Sequence, residues 1–319
     1  MGIRSDRAPE HQLLGWGNGR LLRLHFAERL FRGDKTPRAS VPRRNTPGAI
    51  WVKACRLTGH ALLLLAFFSL LTPSPVEADA LPLHTAINKA GRQRMLTQRI
   101  VKTYCLVGLG VAPHESRAQL AEATAMFKSQ LAELNRGATD LKVKQALADV
   151  ERLWPEFEAI TLEPVSREGA RLLAARDDTL LEAADRVVLA LQELSDLPYA
   201  RLVNISGRQR MLSQRVAKFY VLRAWGLASV AGLEMLERAR NEFEGALSEL
   251  QSATENTSNI HHQLAAARDQ WRWLDSALRF NDANTYFPEI VNDAAEKTLN
   301  IMERVTESYE ELFFLRTGG

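Results

Sequence analysis

The chain has 319 residues, 46% of them hydrophobic and 25% charged, with 41 Lys and Arg against 38 Asp and Glu. These globular proportions exclude a disordered or collagen-like chain, and two cysteines cannot build a disulfide framework. Charge is unevenly spread: residues 1–60 hold 12 Lys/Arg and 4 Asp/Glu, the remainder 29 against 34, so the acidic body is not expected to attract nucleic acid.

The basic N-terminal stretch precedes an uncharged apolar run, Ala61 to Leu71 (ALLLLAFFSLL). A membrane-spanning helix needs roughly 20 apolar residues and a signal-peptide core about 7–15, so the run fits the latter. Lys53 and Arg56 lie before it. After it come prolines and two small-x-small sites, Val76-Glu77-Ala78 and Ala78-Asp79-Ala80. The reading is a signal segment over 59–80, cleaved after Ala78 or Ala80, and a periplasmic mature protein. The alternative is an inner-membrane anchor formed by residues 61–71. Residues 1–58 read as a disordered basic arm or as the product of a mis-called start. The mature chain keeps one cysteine, Cys105.

Beyond this segment the chain repeats itself. Asn88 to Tyr104 (NKAGRQRMLTQRIVKTY) aligns with Asn204 to Tyr220 (NISGRQRMLSQRVAKFY), with eleven of 17 positions identical. Phe127, Leu131 and Leu134 match Phe243, Leu247 and Leu250. Leu147 and Trp154 match Leu264 and Trp271, and Asp185-Arg186-Val187 matches Glu303-Arg304-Val305. Two copies of one unit follow, 81–197 and 198–319, parted where Pro198 breaks a helical pattern.

Within each copy Ala, Leu, Glu, Arg and Gln dominate, and apolar residues recur at helical spacing. Breaks near Pro113, Gly137, Pro164 and Pro198 predict helices over 82–111, 114–136, 139–162 and 165–196. The second copy gives 199–228, 231–253, 257–280 and 284–315. The fold class is all-α: two tandem up-down four-helix bundles after the N-terminal signal segment. Trp154, Trp271, Phe127 and Phe243 are read as core. Glycine-rich phosphate loops, zinc-spaced Cys/His sets and nucleophile elbows are absent from the sequence, no cofactor is expected, and the protein is read as not an enzyme. His261-His262 is read as a solvated pair at a helix start.

On a helical wheel Gly91, Arg94, Met95, Gln98 and Lys102 share one face, with Leu96, Ile100 and Tyr104 on the other. The helix is thus apolar on both sides, with a cationic and amide stripe inside one of them, a pattern that calls for packing against another element. A mid-helix glycine costs about 1 kcal/mol relative to alanine, so Gly91 and Gly207 imply close helix approach or contact with a small ligand. If the first helices of the two units pack about a pseudo-twofold axis, Arg94 and Arg210 converge. Buried guanidiniums need a counter-charge, and their planar fork suits a planar oxyanion such as nitrate or nitrite. Gln98 and Gln214 are read as further donors or braces. Asn88, Asn204, Met95, Met211, Lys102 and Lys218 are supporting residues, the lysines raising the local potential. Arg92, Arg99, Arg208 and Arg215 are read as surface or intra-bundle ion-pair residues.

The twice-occurring N-x-[AS]-G-R-Q-R-M-L-[ST]-Q-R resembles the PilJ-type sensor domain, the N-terminal domain of type IV pilus methyl-accepting chemotaxis transducers, which is related to the nitrate-sensing domain of NarX-like sensor kinases. The resemblance covers about 82–316. It implies periplasmic four-helix bundles whose first helices meet across a dimer axis, with nitrate held by the arginine before methionine, here Arg94 and Arg210, beside Gly91 and Gly207. Because the unit is duplicated, the site is expected either within one chain or between the subunits of a homodimer. A second membrane helix and a signalling module are not seen after the second copy, so the leading expectation is a small-anion binding protein working alone or with a membrane sensor or chemoreceptor partner. The competing expectation is a helical interaction module of a chemotaxis or pilus system, with no small ligand.

Overall fold

The computed structural model describes residues 81–279 and 285–318; the basic arm and the signal segment lie outside the described residues. Among the described residues eight helices follow in order: α1 (Leu83–Leu109), α2 (Pro113–Gly137), α3 (Leu141–Leu162), α4 (Arg167–Gln192), α5 (Pro198–Ala224), α6 (Val230–Ser252), α7 (Ser258–Arg279) and α8 (Pro288–Thr317). The predicted boundaries agree to within a few residues. Among the described residues no helix is long and apolar enough to cross a membrane.

Local chemistry sets the helix ends. Pro113, Pro198 and Pro288 occupy first turns, where a missing N–H is harmless. Asp140, Ser166 and Ser229 cap α3, α4 and α6 by accepting from Val143, Gly169 and Gly232 backbone N–H groups. Gly110 closes α1 in the left-handed conformation at φ 70°, which glycine adopts without a Cβ penalty.

Helices α1 to α4 pack as one bundle and α5 to α8 as a second. Each is centred on one aromatic stack. Phe127 lies on Trp154 at 3.9 Å and 14°, and Phe243 lies on Trp271 at 3.9 Å and 14°. All four are buried, as core residues should be. A tyrosine on each first helix ties down the fourth helix of its bundle: Tyr104 accepts from the Ser166 N–H at 3.0 Å and Tyr220 from the Phe287 N–H at 2.9 Å.

The bundles join through α1 and α5, which pack on each other along their length. Helix α8 runs antiparallel to both, since Arg92 and Arg99 of α1 reach Glu303 and Glu296 in turn, while Arg210 and Tyr220 of α5 reach Glu303 and Phe287. Therefore α1 and α5 are parallel, in register at Gly91 and Gly207, and the pseudo-twofold runs along them. This burial on all sides explains why nearly every residue from Ala86 to Val107 is inaccessible, Arg94 and Lys102 included, while Lys89, Arg92 and Arg99 keep partial exposure. The seam left open by the sequence forms here within a single chain.

Candidate functional site

The seam begins with two glycines. A Cβ on Gly91 would lie 3.9 Å from the Gly207 Cα, so the absence of side chains lets the parallel helices close. Over this gap sit both guanidiniums. The Nη2 atoms of Arg210 and Arg94 lie 3.1 and 3.7 Å from the position a Cβ on Gly207 would take, and 3.3 and 3.5 Å from its equivalent on Gly91. The predicted convergence of Arg94 and Arg210 is present.

Their contacts cross the axis reciprocally. Arg94 Nη2 donates to the Asn204 backbone carbonyl at 3.2 Å and to Asn204 Oδ1 at 2.8 Å. Arg210 Nη2 donates to the Asn88 backbone carbonyl at 3.2 Å. Arginine side chains lean toward their own helix N-terminus, which is why each finds the asparagine nearly two turns back on the facing helix.

The expectation that a small anion must supply the counter-charge is corrected by two carboxylates. Arg94 Nη1 donates to Asp185 Oδ1 at 2.6 Å, and Arg210 Nη1 donates to Glu303 Oε2 at 2.6 Å. Both acids come from the fourth helix of the arginine's own bundle, at matching places in the repeat. Sequence reasoning passed over them although the Asp185/Glu303 match was visible, because an acid repeated far along the chain carries no sign of which cation it meets. Burial still lowers the Arg94 pKa against the pull of Asp185. Burial drives Arg210 well below its ordinary value, and the guanidiniums of Arg92 and Arg94 push the same way.

About two turns beyond the arginines, the lysines are buried, not merely neighbouring. Lys102 donates to Glu296 Oε1 at 2.6 Å and Lys218 pairs with Asp177, each crossing to the other bundle. Burial lowers both lysine pKa values and raises that of Asp177. At the other end, Asn88 Nδ2 donates to Glu310, and Asn204 Nδ2 donates to Gln192 Oε1 at 2.6 Å.

Gln98 and Gln214 are buried in the seam but do not brace the arginines. Gln98 Nε2 donates to Thr97 Oγ1 at 3.0 Å and Gln214 Nε2 to the Ala295 carbonyl at 3.3 Å, and the Oε1 atoms of both lack partners. Met95 and Met211 are buried beside them. The flanking arginines also need correction. Arg208 does pair within its bundle, with Glu242 at 3.1 Å, but Arg92, Arg99 and Arg215 reach Glu303, Glu296 and Asp178 of the opposite bundle. The sequence could not show this, since it does not state which helices lie across the seam. His261 and His262 are exposed in α7, as read.

Against this geometry stand the comparisons with known proteins. A family model described as the type IV pili methyl-accepting chemotaxis transducer N-terminal domain, PilJ, matches residues 79–181 and 195–290. The chain belongs to the PilJ family. No curated protein and no solved structure matches it. The two PilJ matches fall on the two bundles, so the repeat read from the sequence is a tandem pair of PilJ domains. The family places the chain among chemotaxis-transducer sensory domains, a non-catalytic class, associated with chemotaxis and pilus receptor systems.

Proposed function

We propose that this tandem PilJ protein senses a small planar oxyanion, nitrate or nitrite, between Arg94 and Arg210, and that it does so in the periplasm after export through the segment 59–80. One observation carries the reading: two guanidinium heads from pseudo-twofold-related helices converge over a pair of glycines, within 3.7 Å of one point. A monovalent guest between the Nη2 atoms would relieve the repulsion that Arg92 and Arg94 exert on Arg210. It would take over the donors now held by Asn88 and Asn204, the asparagines releasing toward Glu310 and Gln192. The differential contact favours one relative setting of α1 and α5, as a sensor requires. The partner is a membrane sensor or chemoreceptor.

A second reading rests on Asp185 and Glu303. They already neutralise both arginines, so the seam serves equally as a lock in a helical docking module with no small ligand. Calorimetry of the full-length chain with sodium nitrate and sodium nitrite separates the two. Heat that vanishes in both Arg94→Lys and Arg210→Lys, which retain charge but lose the fork, supports the sensor. Absence of heat at millimolar anion overturns it in favour of the lock. Fractionation of cells expressing the full chain, with the mature N-terminus sequenced, tests export: a cytoplasmic or uncleaved product would contradict it.

A further inference from the structure

The pseudo-twofold is broken on one flank of the seam. Glu303 uses both carboxylate oxygens, Oε1 for Arg92 and Oε2 for Arg210. Its counterpart Asp185 uses only Oδ1, for Arg94, and its side chain is 30% exposed. The counterpart of Arg92 is Arg208, which turns instead to Glu242. The repeat explains the difference: where the second bundle has Glu242, the first has Met126, which cannot draw an arginine away.

The result is a cleft of about 390 Å³ between α4, α5 and α6, with Asp185 on its wall. That volume lies within the usual range of small-molecule sites. Two of its charged groups pair with residues outside it, Arg186 with Asp149 and Arg215 with Asp178, while Arg208 and Glu242 pair with each other within its wall. Arg238 and Glu182 have no ion-pair or hydrogen-bond partner among the described residues. Their repeat counterparts, Glu122 for Arg238 and Asn300 for Glu182, do not reproduce this charge pattern, so it exists on one side of the seam only. Leu181, Met211 and Met235 supply an apolar wall, two of them flexible thioethers that adapt to a guest.

We infer that this cleft binds a zwitterionic α-amino acid with an apolar side chain. Its carboxylate meets Arg238, its ammonium meets Glu182 and the free oxygen of Asp185, and its side chain lies on the methionines. Because the same Asp185 carboxylate holds Arg94, an ammonium on Oδ2 competes for that carboxylate and reports occupancy to the seam. The site is separate from the gap over Gly91 and Gly207 and does not depend on an anion binding there.

The test is calorimetry of the full-length chain with L-leucine, L-methionine and L-phenylalanine. Two truncated probes accompany them: L-leucinamide, which lacks the carboxylate, and 4-methylpentanoate, which lacks the ammonium. Binding of at least one amino acid, weakened about tenfold or more in both Arg238→Gln and Glu182→Gln and absent for the truncated probes, is the expected result. These substitutions lie on exposed side chains, and circular dichroism confirms that the variants remain folded. The inference is overturned if no amino acid binds up to about 10 mM, if either truncated probe binds as well, or if both variants bind unchanged. Arg94→Lys with nitrate is a separate measurement, so failure of one site leaves the other readable.

Discussion

Lys218 and Asp177 form an ion pair with neither side chain open to solvent, their exposures being 1% and 0%. The equivalent lysine, Lys102, meets Glu296, which keeps 18% of its side chain exposed. Removing one member of a fully buried pair strands the other charge, at a cost of about 3–5 kcal/mol, whereas replacing both by apolar groups is often neutral. Lys218→Met is expected to lower the unfolding free energy measured by urea denaturation by that amount, and Lys218→Met with Asp177→Leu to recover most of it. A single-variant loss below about 1 kcal/mol would contradict the burial described.

The glycines of the seam and a glycine outside it should respond oppositely to alanine. At Gly245 in α6 an added Cβ meets nothing within 4 Å, so Gly245→Ala gains helix propensity and stabilises by roughly 0.5–1 kcal/mol. At Gly207 the Cβ would come 3.1 Å from Arg210 Nη2, and at Gly91 3.3 Å from the same atom, whose guanidinium is already fixed by Glu303 and Asn88. Both substitutions are expected to destabilise, Gly207→Ala more than Gly91→Ala. Thermal midpoints of the three variants check the order, and stabilisation at Gly207 would refute the close approach.

Glu296 gives a pH signature. Burial works to raise its carboxyl pKa, but Lys102 and Arg99 outweigh it and hold the value below the ordinary 4.5. A depressed carboxyl pKa contributes stability that is complete above the unfolded value and is lost as pH falls through the folded value. Asp177, raised by burial, titrates with the opposite sign, so the readout is wild type compared with Glu296→Gln. Between about pH 7 and pH 3 the wild type should lose more stability than the variant. Parallel curves would show that the cations do not reach this carboxylate.

Depth separates the arginine pairs. Arg94 is buried against Asp185, so Arg94→Ala should destabilise by about 2–4 kcal/mol, the partial exposure of Asp185 keeping it below the maximum. Arg186 pairs with Asp149 at 3.0 Å with both side chains well exposed, and Arg186→Ala should change stability by at most about 0.5 kcal/mol. Chemical denaturation of both variants decides this; equal effects would place the two pairs in the same environment.

Much of the architecture was legible in the sequence because it was written twice. The duplicated G-R-Q-R-M-L segment and the paired aromatic positions reveal the repeat, and the helical periodicity with breaks near Pro113, Gly137, Pro164 and Pro198 marks out the helices. The convergence of Arg94 and Arg210 was legible only on the premise that the two first helices pack about a pseudo-twofold axis; helical phase then puts each arginine on the face of its glycine. The acids that hold them were not. Asp185 lies 91 residues from Arg94, and no periodicity links the two. Nor could phase separate Gln98 from the arginine cluster: it shares their face yet bonds Thr97, because a short amide cannot reach where a long guanidinium can.

Joining two copies of one unit in a single polypeptide makes the α1–α5 contact unimolecular, so its formation is independent of protein concentration. It also lifts a restriction that binds identical subunits, in which any substitution appears on both sides of the axis. Here Gln192 stands opposite Glu310, and Asp177 with Asp178 opposite a lone Glu296. One half is therefore free to specialise while the other preserves the ancestral arrangement.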